Sequence, residues 1–231
     1  MSCVVSALAG LHDVIVDSQT LLLDAAIAAG VPRFIPSDFS CDFTKMSAGE
    51  NRNFDLRKEF HQYLDLSPIA ATSILNGGFA DILGYGTPLY NPKNQSVAYW
   101  GDNPDWKMDI STMDDTADYT AAVALDSATP RILRIASFQI SPNELAAVGE
   151  EVNKTKFNLV PMGSLADLSA SNKKARAADP AGEKELYPQW QFGQYFYSMF
   201  SVQNNPLDND RYSDVQWTSA VDVISKISNI H

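Results

Sequence analysis

Apolar positions along this chain alternate between short compact runs and amphipathic stretches. Cys3-Val4-Val5-Ser6-Ala7-Leu8 is a compact run and reads as a strand. Ala9-Gly10-Leu11-His12 makes a turn, and Asp13 is placed to accept from the free N–H groups that open a helix. Leu22, Ala25, Ala26 and Ala29 give that helix an apolar face, Gly30 stands at its C′ position, and Pro32 follows as a stop. A second strand centres on Phe34 and runs out into Pro36-Ser37-Asp38-Phe39. After a polar linker comes a helical stretch from about Asn53 to Asp65, with Leu56, Phe60, Tyr63 and Leu64 on one face. The run from Ile69 to Leu75 is a third strand, closed by Asn76-Gly77-Gly78-Phe79. Strand, helix, strand, twice over, gives two βαβ units and three parallel strands around Val5, Phe34 and Ile74. Open α/β sheets bind their ligands beyond the carboxyl ends of such strands.

Beyond Tyr85 the pattern is less regular. A short helix through Leu83 leads into a Gly- and Pro-rich loop, followed by strands at Gln95–Gly101 and Trp106–Ile110. Met113 to Leu125 is helical, with Asp114 and Asp115 at its positive end. A strand at Ile132–Ala136, a helix from Asn143 to Val152 and a short strand at Phe157–Val160 come next. Helices are expected near Ser164–Ala177 and Glu183–Ser201, and a last one from Trp217 to Ile230. The fold class is therefore α/β, a doubly wound parallel sheet with a smaller mixed α/β lobe. One domain over residues 1–231 is expected, with the remaining part of the sheet core in 1–84 and, in 85–231, a mixed lobe for substrate or partner that contributes further elements to the core.

Composition narrows the partners. A net charge of −11, from 17 basic and 28 acidic residues, argues against nucleic acid or an anionic membrane as a partner. Cys3 and Cys41 are the only cysteines and have no metal-ligand spacing, so neither a disulfide framework nor a metal site is expected. No apolar run is long enough to cross a bilayer, and the N-terminus lacks a basic leader, so a cytoplasmic protein is the expectation. His12 reads as a surface-turn histidine and His61 as a solvated residue on the polar side of its helix. The aromatic run Tyr187 to Phe200 reads either as a helix packed on the sheet lobe or as a lid over a flat substrate.

Arg33-Phe34-Ile35-Pro36-Ser37-Asp38-Phe39, Asn53-Phe54-Asp55-Leu56-Arg57, Ala71-Thr72-Ser73-Ile74 and Met113-Asp114-Asp115-Thr116-Ala117 together resemble the NmrA-like branch of the atypical short-chain dehydrogenases. That branch includes isoflavone-reductase-like enzymes and redox-sensing regulators. The resemblance implies a Rossmann-like NAD(P)-binding sheet. It further implies that Ser6, Ala7, Leu8, Ser37, Asp38, Asn76, Gly77, Gly78 and Phe79 line the nicotinamide side of the cofactor site. Gly77 and Gly78 would allow close backbone approach, and Asn76 would orient an amide or hydroxyl.

Two features depart from the family pattern. The glycine-rich strand-to-helix turn that cradles a pyrophosphate is not found among the 12 glycines. The family places that turn about two βα units before the Val5 strand. The chain thus reads either as an N-terminally shortened form or as a short protein that has lost cofactor binding or borrows an edge from a partner. Weak or absent NAD(P) binding by these residues is expected, along with self-association through the bared edge Cys3–Leu8. The second departure concerns the acid–base residue. No tyrosine has a lysine four positions later. Isoflavone-reductase-like relatives use one lysine on the central helix at a set distance before the next strand's threonine. Counting back from Thr72 without a gap reaches Arg57, next to Lys58. Either Lys58 takes the catalytic role after a one-residue shift, or Arg57 binds a phosphate or carboxylate, as arginine does well, and does not shuttle protons. The resemblance therefore implies an NAD(P)H-dependent reductase of a small organic substrate, or alternatively a non-enzymatic NAD(P) sensor that binds a protein partner.

Overall fold

The computed structural model describes residues 2–228. Its centre is a parallel sheet. Strand β1 (Val4–Val5) pairs in parallel with β2 (Arg33–Ile35), Val4 opposite Phe34. Strand β2 pairs in parallel with β3 (Ala70–Ala71). Thr72 separates β3 from β4 (Ser73–Leu75), which turns away to pair in parallel with β8 (Ile132–Arg134), Ile74 opposite Leu133. The step at Thr72 is held by its hydroxyl, which donates to the Pro130 carbonyl at 2.9 Å.

Alternation along β2 explains why the sheet is covered on both sides. Phe34 and Ile35 point to opposite faces. Phe34 packs with Leu23 and Ala26 of α1 (Gln19–Ala28) and with Phe60 and Leu64 of α2 (Arg52–Leu64). Ile35 packs with Ile74 and Leu133, and with Tyr119 and Val123 of α3 (Met113–Leu125). Helices on both faces of a parallel sheet make this a doubly wound α/β core. A strand from beyond residue 85, β8, completes it.

The remaining elements surround one larger apolar core. Strand β5 (Gly78–Phe79) pairs in parallel with β7 (Met108–Ser111), and β7 pairs antiparallel with β9 (Phe138–Ile140). Strand β6 (Ser96–Tyr99) pairs in parallel with β10 (Asn158–Pro161). Helices α4 (Pro142–Asn153), α5 (Leu165–Ala178), α6 (Gln189–Ser201) and α7 (Ala220–Ser228) complete the chain. Among the described residues no helix is long and apolar enough to cross a membrane.

Several sequence expectations need correction. The first strand is two residues long, not six. Helix α1 is entered through a π-helical turn, Asp13–Ser18. Gly30 does take the left-handed conformation expected of a C′ residue, at φ +67. Tyr63 is not part of the buried face of α2. It is 43% exposed and donates to Asp24 Oδ1 at 2.7 Å. Helix α6 starts at Gln189 rather than Glu183, because Pro188 stands at its cap and Pro180–Lys184 forms a separate 3₁₀ turn. The antiparallel β9 was not anticipated. The last helix starts at Ala220, and the expected portion past Ser228 lies outside the described residues.

Candidate functional site

The carboxyl ends of β1 and β2 lie side by side in one sheet, and the end of β4 is tied to the segment after β2 by the Gly77 N–H, which donates to the Ser40 carbonyl at 3.1 Å. The Ser6 N–H donates to the Ile35 carbonyl at 2.8 Å, which extends the β1–β2 ladder by one step. Ser37 is tied on both sides. Its N–H donates to Gln19 Oε1 at 2.8 Å and its hydroxyl to the Leu8 carbonyl at 2.6 Å. Ala7 is exposed, while Leu8 and Phe79 are half-buried. Asn76 is fully buried; its amide nitrogen reaches Thr116 Oγ1 at 3.4 Å and its Oδ1 has no partner. Ser6 Oγ and Asp38 Oδ1 are likewise buried without partners. The segments that follow β1, β2 and β4 therefore each carry a buried polar atom left unsatisfied by the protein, where most buried polar atoms are paired.

Asp38 is turned inward rather than toward the strand-end surface. Its Oδ2 lies 2.6 Å from His61 Nε2 and accepts from Ser73 Oγ at 2.5 Å. Arg131 closes the group. One of its nitrogens donates to Ser73 Oγ at 2.7 Å, another lies 3.3 Å from His61 Nδ1, and the same guanidinium pairs with Asp65. A guanidinium only donates, so Nδ1 is the acceptor and Nε2 carries the proton given to Asp38. The expectation of a solvated His61 is wrong. Its side chain is only 13% exposed and its ring meets Phe43 edge-on at 5.1 Å. His12 is exposed, as expected, beside Glu59 and Asp17.

The protein's own backbone accounts for Gly77, between β4 and β5. Gly77 has φ +71, and a Cβ there would lie 2.2 Å from the Asp109 carbonyl oxygen. A Cβ on Gly78 would lie 3.2 Å from the Met199 methyl group. Close approach of the β7 backbone requires glycine at 77, whereas at 78 the neighbour is the end of the flexible Met199 side chain. Asp109 itself is buried, and that burial pushes its carboxyl up to about 6, against the opposing hydrogen bonds from Gln139 and the Asn204 N–H.

The two basic residues singled out on α2 have different surroundings. Lys58 Nζ donates to the Met46 carbonyl at 2.8 Å and pairs with Asp55 at 3.5 Å. Arg57 donates to the Asn53 carbonyl at 2.8 Å, its guanidinium carbon lies 5.8 Å from the centre of the Phe54 ring, and its Nε is buried without a partner. Asn53 in turn donates to Tyr195 Oη at 2.9 Å, and Tyr195 meets Phe54 edge-on at 5.7 Å. Burial raises the Tyr195 phenol above its ordinary range, an effect that the Arg57 charge opposes without cancelling. Tyr187, about half exposed, and Phe192 continue this aromatic surface. Tyr195 stands one helical turn before Met199, the residue that covers Gly78.

Asn53 and Tyr195 were not among the residues singled out as a site in the sequence. The signal for Asn53 was its place in the first turn of α2. There, Asn51 caps the helix by accepting from the N–H groups of Asn53 and Phe54. Nothing local in the sequence pairs Asn53 with Tyr195 across 142 positions. The aromatic run proves to be a packed helix for Trp190, Phe196, Met199 and Phe200, which are buried, while Tyr187 remains on the surface. Among the described residues no group of three metal-ligating side chains comes together.

Parallel strands with helices packed on both faces make this a Rossmann-like doubly wound α/β fold. The chain belongs to the NmrA-like family, whose model matches residues 2–217. No curated protein matches the chain closely. Solved structures similar to it include AtPrR2 with NADP+ and (+)-pinoresinol, at a TM-score of 0.74 and 24% identity over 98% of this chain and 75% of that one. A ternary complex of leucoanthocyanidin reductase from Vitis vinifera has a TM-score of 0.77 and 18% identity, over 99% of this chain and 79% of that one. An isoflavone reductase matches at 0.72 and 17%, over 100% and 75%.

Proposed function

We propose that the protein works as an NAD(P)H-dependent oxidoreductase on a small organic substrate, these residues supplying the nicotinamide end of the cofactor site at the carboxyl ends of β1, β2 and β4 and binding NAD(P)H only weakly by themselves. The observation that carries this is the pair of buried, unpartnered polar atoms Ser6 Oγ and Asn76 Oδ1, just past the ends of β1 and β4. These ends fit a group that brings both donors and acceptors. Bound there, the cofactor supplies a hydride. The exposed backbone at Ala7 and the half-buried Leu8 and Phe79 offer contact surface, and Asn76 orients a carboxamide. Arg57 holds a substrate oxygen through its free donors. Tyr195, hydrogen-bonded to Asn53 beside that guanidinium, holds the proton which the reduced substrate oxygen takes up. Tyr187 and Phe192 give a flat substrate an aromatic surface.

The surroundings of Lys58 favour a second reading. Its ammonium is engaged by Met46 and Asp55, which leaves the shuttle role the family gives to a lysine without a free lysine. A nucleotide sensor that binds without turnover and signals to a protein partner fits that arrangement. Both cysteines are free thiols, which suits the cytoplasm. Val5, 42% exposed on β1, marks the edge at which a second copy or a partner strand would pair.

One experiment separates the readings. NADPH oxidation is followed with a panel of aromatic ketones, lactones and benzylic ethers, alongside calorimetric NADPH binding. An oxidoreductase shows turnover that Arg57→Ala and Tyr195→Phe each reduce about a hundredfold. A sensor binds NADPH without turnover, and Arg57→Ala changes affinity alone. Turnover unaffected by either substitution contradicts the roles assigned to these two residues.

A further inference from the structure

We propose that the substrate is an oxo acid, whose carboxylate is held by Arg57 close to the carbonyl that is reduced. The carbonyl's part rests on the oxidoreductase reading above; the carboxylate comes from what surrounds Arg57. The other arginines are engaged. Arg52 and Arg176 pair with Glu183, Arg131 with Asp65, Arg134 with Asp42 and Arg211 with Asp126. Arg33 donates to the carbonyls of Val123 and Ala124 and to Thr129 Oγ1. Arg57 has neither a carboxylate nor such a set of acceptors. Among the described residues its guanidinium makes one hydrogen bond, from Nη1 to the Asn53 carbonyl. Its Nη2 donates to nothing there and, unlike the enclosed Nε, is not buried.

The acidic residues of α2 do not neutralise it. Asp55 pairs with Lys58, and Glu59 with His12. In a chain of net charge −11, a half-buried guanidinium beside the Phe54 ring is thus left without a counter-ion. An anion brought by the substrate fits it, and arginine's planar donors suit a carboxylate. A phosphate dianion fits less well, because the neighbouring cation, Lys58, is engaged by Asp55 and the Met46 carbonyl. Asn53 then relates this charge to the reacting group. Its carbonyl accepts from Arg57, and its side-chain nitrogen donates to Tyr195 Oη at 2.9 Å. The phenol O–H has no acceptor among the described residues, so it is free for a carbonyl oxygen. With both donors fastened to one residue, the two substrate groups they hold lie only a few bonds apart, as in an oxo acid. The carbonyl carbon takes the hydride of NAD(P)H and its oxygen takes the Tyr195 proton. The products are a hydroxy acid and NAD(P)+, and water returns the proton to the phenol.

The test compares benzoylformate with its methyl ester, which keeps the ketone and removes the charge. Each is titrated by NMR into the full isotope-labelled chain without cofactor, and NADPH oxidation is then followed with each. Benzoylformate should shift the Arg57 Nε–H signal and bind about thirtyfold more tightly than the ester, the worth of one charge-assisted hydrogen bond. Arg57→Gln should bring that ratio to about one. Arg57→Lys should leave it in between, since it keeps the charge and loses the fork. The acid should be preferred in kcat/KM as well. Equal binding of acid and ester, or a preference that survives in Arg57→Gln, overturns the proposal. So does displacement of benzoylformate by NADPH, which would assign Arg57 to the cofactor. Should Arg57→Gln fail to fold, the unsubstituted chain and Arg57→Lys decide. Oxidation with the ester at least as fast as with the acid sinks the carboxylate and leaves the oxidoreductase reading standing. Acid binding at Arg57 with no oxidation by either compound sinks that reading and the carbonyl's role, and leaves the carboxylate site standing.

Discussion

His61 Nε2 lies 2.6 Å from Asp38 Oδ2, joining the central helix to the carboxyl end of the second strand beneath the surface. Asp38 is fully buried, and Ser73 and Arg131 complete the group. Removing the shared acceptor leaves the His61 and Ser73 donors unsatisfied, at about 1–3 kcal/mol each. Asp38→Ala should therefore lower unfolding stability in urea by at least about 2 kcal/mol. Asp65→Ala, at an exposed carboxylate on the same arginine, should change it by less than about 1 kcal/mol. Equal effects would mean that the inner pair is no more than a surface contact.

Gly77 and Gly30 are matched tests of close packing, since both have positive φ, +71 and +67. Gly77→Ala meets the Asp109 backbone, and Gly30→Ala meets nothing within 4 Å. Alanine at Gly30 should cost about 1–2 kcal/mol, the left-handed backbone penalty alone. At Gly77 the cost should exceed it by several kcal/mol, read as a fall in melting temperature or as loss of soluble protein. Similar costs would show that β7 can move away from β4.

Asp109 makes stability depend on pH with a defined sign. Its folded value of about 6 lies above its ordinary 3.8. A raised value means that the folded state holds the proton more tightly, so this contribution is fully present below about pH 4 and is lost as pH rises through 6. At ~1.4 kcal/mol per unit the loss is roughly 3 kcal/mol. Urea melts from pH 4 to 8 should show it, superposed on the other groups. The same series on Asp109→Asn should lack this component, and identical slopes in both proteins would refute it.

Arg52 fastens a distant segment. Its guanidinium donates to the carbonyls of Gly182, Glu185 and Leu186 and stands 4.7 Å from the centre of the Trp190 ring. Arg52→Met should release those carbonyls, lower stability by about 3 kcal/mol and open residues 180–188 to limited proteolysis. Arg52→Lys should rescue little, because an ammonium cannot span several carbonyls as a planar fork does. Unchanged protease resistance in both variants would show that the segment holds itself.

Much of the fold was readable because burial follows period. Met113–Leu125 is helical over the residues the pattern marked, and the strands around Val5, Phe34 and Ile74 are parallel. What period cannot see is a polar residue buried by a distant partner. His61 sits on the side of α2 that looks solvated, and only the fold brings Asp38 and Ser73 to it. Arg52 and Asn53 are similar cases, since their partners lie more than a hundred positions away on α6 and the turn before it. The glycines at 77 and 78 were legible as close-approach positions, but what approaches them is Asp109 and Met199.

On the proposed reading, the strand ends and the Arg57–Asn53–Tyr195 cluster form one nicotinamide and substrate site. The most direct test is a backbone amide NMR titration of the chain with NADPH, which maps even millimolar binding. Shifts should concentrate at Ala7, Leu8, Asn76, Gly78 and Phe79, reach Arg57, and be attenuated in Arg57→Ala. Shifts absent there at saturating NADPH, or concentrated elsewhere on the chain, would contradict the account.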